Sequence, residues 1–228
     1  MLKAQKKISR KEIKEDKLVT TYFTSRVWIE EHRRIVGYII GIPIAIIIIA
    51  LIWTQKHKDW NETATTMLAR ITPVYEQGKY EEAINGIPQE GVQGLEVIVQ
   101  EYGSTNAGEV AKYYLANSYA QLGMYDKALE YYDDVDISDP LLSAAAISGK
   151  GNCLEHLGKY KEAAVCFEKA AKKGVEVQKP ENLLRAALDY GIAGEKEKAV
   201  DLLNKLKKEH PNSTSARDAE KFIAQFSA

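Results

Sequence analysis

The chain has 228 residues, and its 31 basic and 32 acidic side chains nearly cancel overall. The charges are divided, however: residues 1–34 hold ten Lys/Arg against five Asp/Glu, while residues 54–228 hold 21 against 27, a net of −6. An acidic larger part argues against nucleic acid as a partner, and two cysteines are too few for a disulfide framework.

The basic tail, residues 1–34, is expected on the cytoplasmic side of a membrane. Ser9-Arg10-Lys11-Glu12 has the S-x-x-E form of a capping box at a helix start. Leu18, Val19, Tyr22, Phe23 and Val27 then recur at three- and four-residue intervals, with Lys14, Lys17 and Arg26 among them. That pattern reads as an amphipathic helix that lies on anionic lipid or docks a cytoplasmic partner.

Residues 35–53 follow as IVGYIIGIPIAIIIIALIW, nineteen residues with ten isoleucines and no charge. As a helix this covers roughly 28 Å, close to the hydrocarbon thickness of a bilayer. Pro43, Gly37 and Gly41 are tolerated in lipid, where surrounding protein re-satisfies freed backbone groups. The run is longer than a signal peptide's apolar core, and Trp53-Thr54-Gln55-Lys56 offers no small-residue cleavage site. A retained single span is therefore expected. The excess of Lys/Arg before it, ending in Arg33-Arg34 at the membrane edge, predicts an inward N-terminus and an outward C-terminal domain. Lys56 and Lys58 dilute that asymmetry.

A linker at residues 54–63 leads into a helical, repetitive region at residues 64–228. Four segments align: Pro73–Ala83, Ser118–Ala128, Cys153–Ala163 and Asp189–Ala199. Their shared glycines, Gly78, Gly123, Gly158 and Gly194, are separated by 45, 35 and 36 residues. Each unit reads as a helical hairpin. The glycine ends the first helix in a left-handed conformation, and the alanine five residues on (Ala83, Ala128, Ala163, Ala199) lets the partner helix approach. A large residue four further on (Ile87, Tyr132, Phe167, Leu203) fills the core. The first unit carries about eight extra residues within Asn85–Gly94 by comparison with a 34-residue repeat. Residues 215–226 read as a capping helix.

These units resemble tetratricopeptide repeats. Small residues stand at Ala116, Gly151 and Ala187, and large ones three further on at Tyr119, Leu154 and Tyr190. The closing proline appears as Pro140 and Pro211 and is Val175 in between. The resemblance implies an all-α protein: one N-terminal transmembrane helix followed by an α-solenoid of about four hairpins. A short tail, one span and an outward repeat domain are also similar in layout to the bacterial family of the ancillary translocon subunit YfgM. That likeness implies the inner membrane, a periplasmic domain, and protein partners in export or envelope machinery.

No catalytic pattern is apparent. His32, His57, His156 and His210 lack metal spacing, and no nucleophile elbow, phosphate loop or dinucleotide fingerprint is present. An EF-hand starting at Asp134 would need Gly at 139 and Glu at 145, where Asp139 and Ala145 stand. Asp139 before Pro140 instead makes a helix cap. Cys153 and Cys166 fall on the two helices of one hairpin and read as buried apolar residues. No enzyme activity, cofactor, metal or small-molecule substrate is expected.

Stacked repeats turn their first helices inward around an extended groove. The resemblance places Val110, Tyr113, Asn117, Ala120 and Gln121 along it, then Ala145, Ser148, Asn152, Glu155 and His156, then Glu181, Leu184, Leu188 and Ile192. Asn117 and Asn152 are equivalent, where an amide can hold an extended peptide's backbone. Tyr113, Ser148 and Glu181 stand where a carboxylate clamp would need cations or small polar groups. Some of these side chains are expected to pack between repeats instead. The chain thus reads as a membrane-anchored interaction module that binds a protein or extended peptide. The alternative is an accessory subunit of a larger membrane complex, held through its span and tail.

Overall fold

The computed structural model describes the backbone of residues 10–227 and the side chains of residues 17–227. It divides into two compact units, Met1–Lys56 and His57–Ala228. The first contains α1 (Arg10–Glu31) and the beginning of α2 (Arg33–Glu76). The Ser9 end of the expected capping box lies outside the described residues.

Helix α2 passes through Pro43 without interruption, and the isoleucines around it are half or more exposed. Among the described residues it is the one helix long and apolar enough to cross a membrane. Residues 54–63, the expected linker, are helical and belong to α2. Part of this stretch packs on the repeat unit. Asn61 Oδ1 accepts the Ala107 N–H at 2.9 Å, and the His57 ring lies 3.1 Å from the Ser104 carbonyl oxygen.

The second unit is a stack of helical hairpins. The end of α2 pairs with α3 (Tyr80–Asn85) and α4 (Leu95–Tyr102), α5 (Asn106–Gln121) with α6 (Tyr125–Asp133), α7 (Pro140–His156) with α8 (Tyr160–Lys173), and α9 (Lys179–Ile192) with α10 (Lys196–Glu209). Helix α11 (Thr214–Ser227) covers the last hairpin, burying Ala216, Ala219 and Phe226.

The repeated glycines explain the turns. Gly78, Gly123, Gly158 and Gly194 have φ of 76°, 75°, 72° and 87°. At Gly123, for example, the Met124 N–H donates to the Tyr119 carbonyl and the Gly123 N–H to that of Ala120. This pair of bonds is the Schellman ending that satisfies a helix's last carbonyls, and the other three glycines repeat it. The four alanines that follow are fully buried, as close helix approach requires. Asp139 caps α7 by accepting the Leu142 N–H at 2.9 Å, with Pro140 in the first turn.

The first hairpin departs from the pattern. Its extra residues form a small excursion in which β1 (Gly86–Ile87) pairs antiparallel with β2 (Val92–Gln93) around a 3-10 turn. This splits the second helix and displaces Ile87 from the core position expected for it. Leu95 and Ile98 of α4, 1% and 0% exposed, fill that space instead. Tyr132, Phe167 and Leu203 are buried as expected.

Candidate functional site

The first helices α5, α7 and α9 lie side by side and their shared face holds a cleft of about 360 Å³. Of the residues expected along the groove, Asn117, Ala120, Gln121, Asn152, Glu155 and His156 line it together. Each stands one turn or one repeat from the next, because stacking hairpins of equal length brings equivalent positions into register.

Other expected positions go elsewhere. Ser148 donates to Asn182 Oδ1 at 2.7 Å, a rung between α7 and α9. Leu184 is 8% exposed within the C-terminal core, so it packs between repeats rather than presenting itself to a ligand. Leu188 is half-buried against the same core, and Ile192 is 59% exposed. Glu181 accepts the Ser215 hydroxyl at 3.2 Å. Val110 and Ala145 are half-buried. Tyr113 lies among tyrosines, 5.6 Å from the Tyr114 ring, which is itself 4.8 Å from Tyr75. The cleft itself is lined mainly by polar and aromatic side chains.

Five lining residues come from outside the expected set: Tyr125, Tyr132, Gly149, Cys153 and Arg185. Tyr125, at the start of α6, stacks on the His156 ring with centroids 4.5 Å apart and 6° between planes. Tyr132 reaches the cleft from α6 and donates its hydroxyl to Asn117 Oδ1 at 2.6 Å. It does so across Gly149, where a Cβ would lie 2.4 Å from the phenol. Arg185 of α9 lies 4.2 Å over the Phe167 ring and pairs with Glu155 of α7.

Behind Glu155 stands Asp189, 2% exposed. It occupies the repeat position that Ser118 and Cys153 fill in the preceding hairpins. Burial, with the Glu155 carboxyl against it, pushes Asp189 up to about 7, and Arg185 only partly offsets this. Burial likewise raises the Cys153 thiol to about 11, so it behaves as a small apolar side chain. Both cysteines are free. Among the described residues no three His, Cys, Asp or Glu side chains converge as a metal site would require. The arrangement offers hydrogen bonds and stacking to a ligand lying across several helices.

Comparison with known proteins fits this geometry. The tetratricopeptide-repeat family model matches residues 110–136 and 181–213, in the second and fourth hairpins. The TPR repeat-containing protein MJ0263 of Methanocaldococcus jannaschii is 41% identical over 64 residues, which cover 26% of this chain and 20% of that protein. The present chain thus spans a fifth of that relative's length. Crystal structures of a Podosopora anserina protein described as a kinesin light chain, built of nearly identical TPR-like repeats, superpose with TM-scores of 0.52 and 0.53. They are 16% identical, with 71% of this chain and 83% of the other covered. The third hairpin carries the same turn and alanine contact between the two that the family model matches. Two of its hairpins match the tetratricopeptide-repeat family model, and the fold as a whole is an all-α, TPR-like solenoid.

Proposed function

We propose that this protein is a membrane-anchored interaction module whose repeat groove binds a segment of a partner protein. The observation that carries this reading is the clustering of Asn117 and Gln121 of α5 with Asn152, Glu155 and His156 of α7 in one cleft, closed by Arg185 of α9. Successive first helices there present amides and carboxyls at a repeat's spacing, which suits an extended chain. Residues 35–53 form the anchor, with the basic tail cytoplasmic and the repeats on the periplasmic face of a bacterial inner membrane. The layout's likeness to the YfgM-like family supports partners in protein export or the envelope. The second reading, an accessory subunit of a larger membrane complex, draws on the exposed apolar side chains of α1, among them Leu18, Tyr22 and Phe23.

Affinity purification after mild detergent extraction tests the first reading. Wild type should retain a partner that Asn152→Ala and His156→Ala lose. Equal recovery by wild type and both variants would contradict it. Replacing residues 35–53 by an unrelated apolar span separates the readings, because only the second makes the partner depend on that span's sequence.

A further inference from the structure

The middle of the cleft holds more acceptors than donors. Asn152 Oδ1 is buried without a hydrogen-bond partner, and so is Oδ2 of Asp189. Glu155 and Asp189 bring two carboxyls together, and one guanidinium, that of Arg185, faces them. Arg185 is itself held by Glu155 and by the Phe167 ring. A buried acceptor left without a donor destabilises the fold. A donor supplied from outside relieves that cost, whereas a ligand carboxylate would add further acceptors.

We infer that this part of the groove is a subsite for a positively charged side chain of the bound segment, lysine or arginine, seated against Glu155 and the Asn152 amide oxygen. The inference rests on the groove reading above. An ammonium carries three donors and no acceptor, which matches the deficit. The net charge of −6 on residues 54–228 draws such a segment in from a distance.

Seating the cation is coupled to a proton. Asp189 stands against Glu155, and burial beside that carboxyl pushes Asp189 up to about 7. Glu155 from α7 and Arg185 from α9 itself are the charged groups acting on Asp189; the charged residues of α8, α10 and α11, the other helices packed on α9, add nothing resolved. A cation seated there favours the ionised form of Asp189 and expels its proton. Binding therefore strengthens as pH rises through neutrality.

The test uses the full chain in a non-ionic detergent and two fluorescent peptides of glycine and serine, one with two central lysines and one with glutamines in their place. The lysine probe should bind more tightly, with an advantage about tenfold larger near pH 8 than near pH 6, the change expected for one displaced proton. Glu155→Gln should abolish the preference, and Asn152→Asp should increase it. Asp189→Asn should keep the preference and flatten its pH dependence. A lysine probe that binds no better than the glutamine probe overturns the inference. Equal binding that His156→Ala still weakens would leave the groove reading intact, whereas equal binding indifferent to His156→Ala would remove that as well.

Discussion

Gly149 lies inside α7, where replacing glycine by alanine ordinarily stabilises a helix by about 1 kcal/mol. Here the opposite sign is expected. A Cβ at this position would lie 2.4 Å from both Cζ and Oη of Tyr132, against an ordinary contact of 3.4–4 Å. The ring must therefore retreat by about 1 Å to restore ordinary contact. The phenol is the far end of its side chain, yet Tyr132 is 6% exposed and has little room to swing. Retreat also breaks its 2.6 Å hydrogen bond to Asn117. Overpacking costs about 1–3 kcal/mol and the lost bond about 1–3 kcal/mol, so Gly149→Ala should destabilise by about 1–5 kcal/mol after the helix gain. For a repeat unit of this size that lowers Tm by about 2–20 °C, read from helical circular dichroism of the full chain in detergent. Tyr132→Leu should restore much of the loss in the Gly149→Ala background by making room. A Gly149→Ala variant as stable as wild type, or more so, would refute the packing described at the cleft.

Three further outcomes follow from the same structure. Phe167 is fully buried, with Arg185 over one face and Gly151 against its edge; Phe167→Ala should cost about 3–5 kcal/mol in thermal unfolding. Asp189 holds its proton more firmly folded than unfolded, so its contribution is fully present below the ordinary aspartate range and is lost as pH rises toward about 7. The fall amounts to at most about 4 kcal/mol, and Asp189→Asn should remove it; identical pH–stability profiles for the two proteins would contradict the carboxyl pair. A reporter fused after residue 228 should be active in the periplasm and silent in the cytoplasm, and the reverse pattern would overturn the proposed topology.

Much of the repeat unit was legible because its determinants are local. Gly78, Gly123, Gly158 and Gly194 mark left-handed turns, and Ala128, Ala163 and Ala199 mark close helix contacts, whatever surrounds them. Ile87 was misplaced because the excursion at residues 86–93 breaks the count that a repeat alignment assumes. Ser148 and Leu184 were assigned to the groove by position alone, and position does not tell a groove-facing side chain from one spent on the neighbouring repeat. Tyr132 was missed as a lining residue because its reach depends on a gap in another helix. The signal was Gly149, a glycine within an otherwise helical pattern. Asp189 also left a trace, as an acid where the preceding repeats carry Ser118 and Cys153. Its consequence depends on Glu155 arriving from α7, a contact that chain order does not reveal.

The most direct measurement places a photo-crosslinking amino acid at Gln121, an exposed lining residue of the cleft, and in a second variant at Lys169, exposed on the outer helix α8. Irradiated in intact cells, the Gln121 variant should yield a defined adduct that His156→Ala diminishes, and the Lys169 variant should not. Adducts of equal yield at both positions, or none at Gln121, would contradict recognition through the groove.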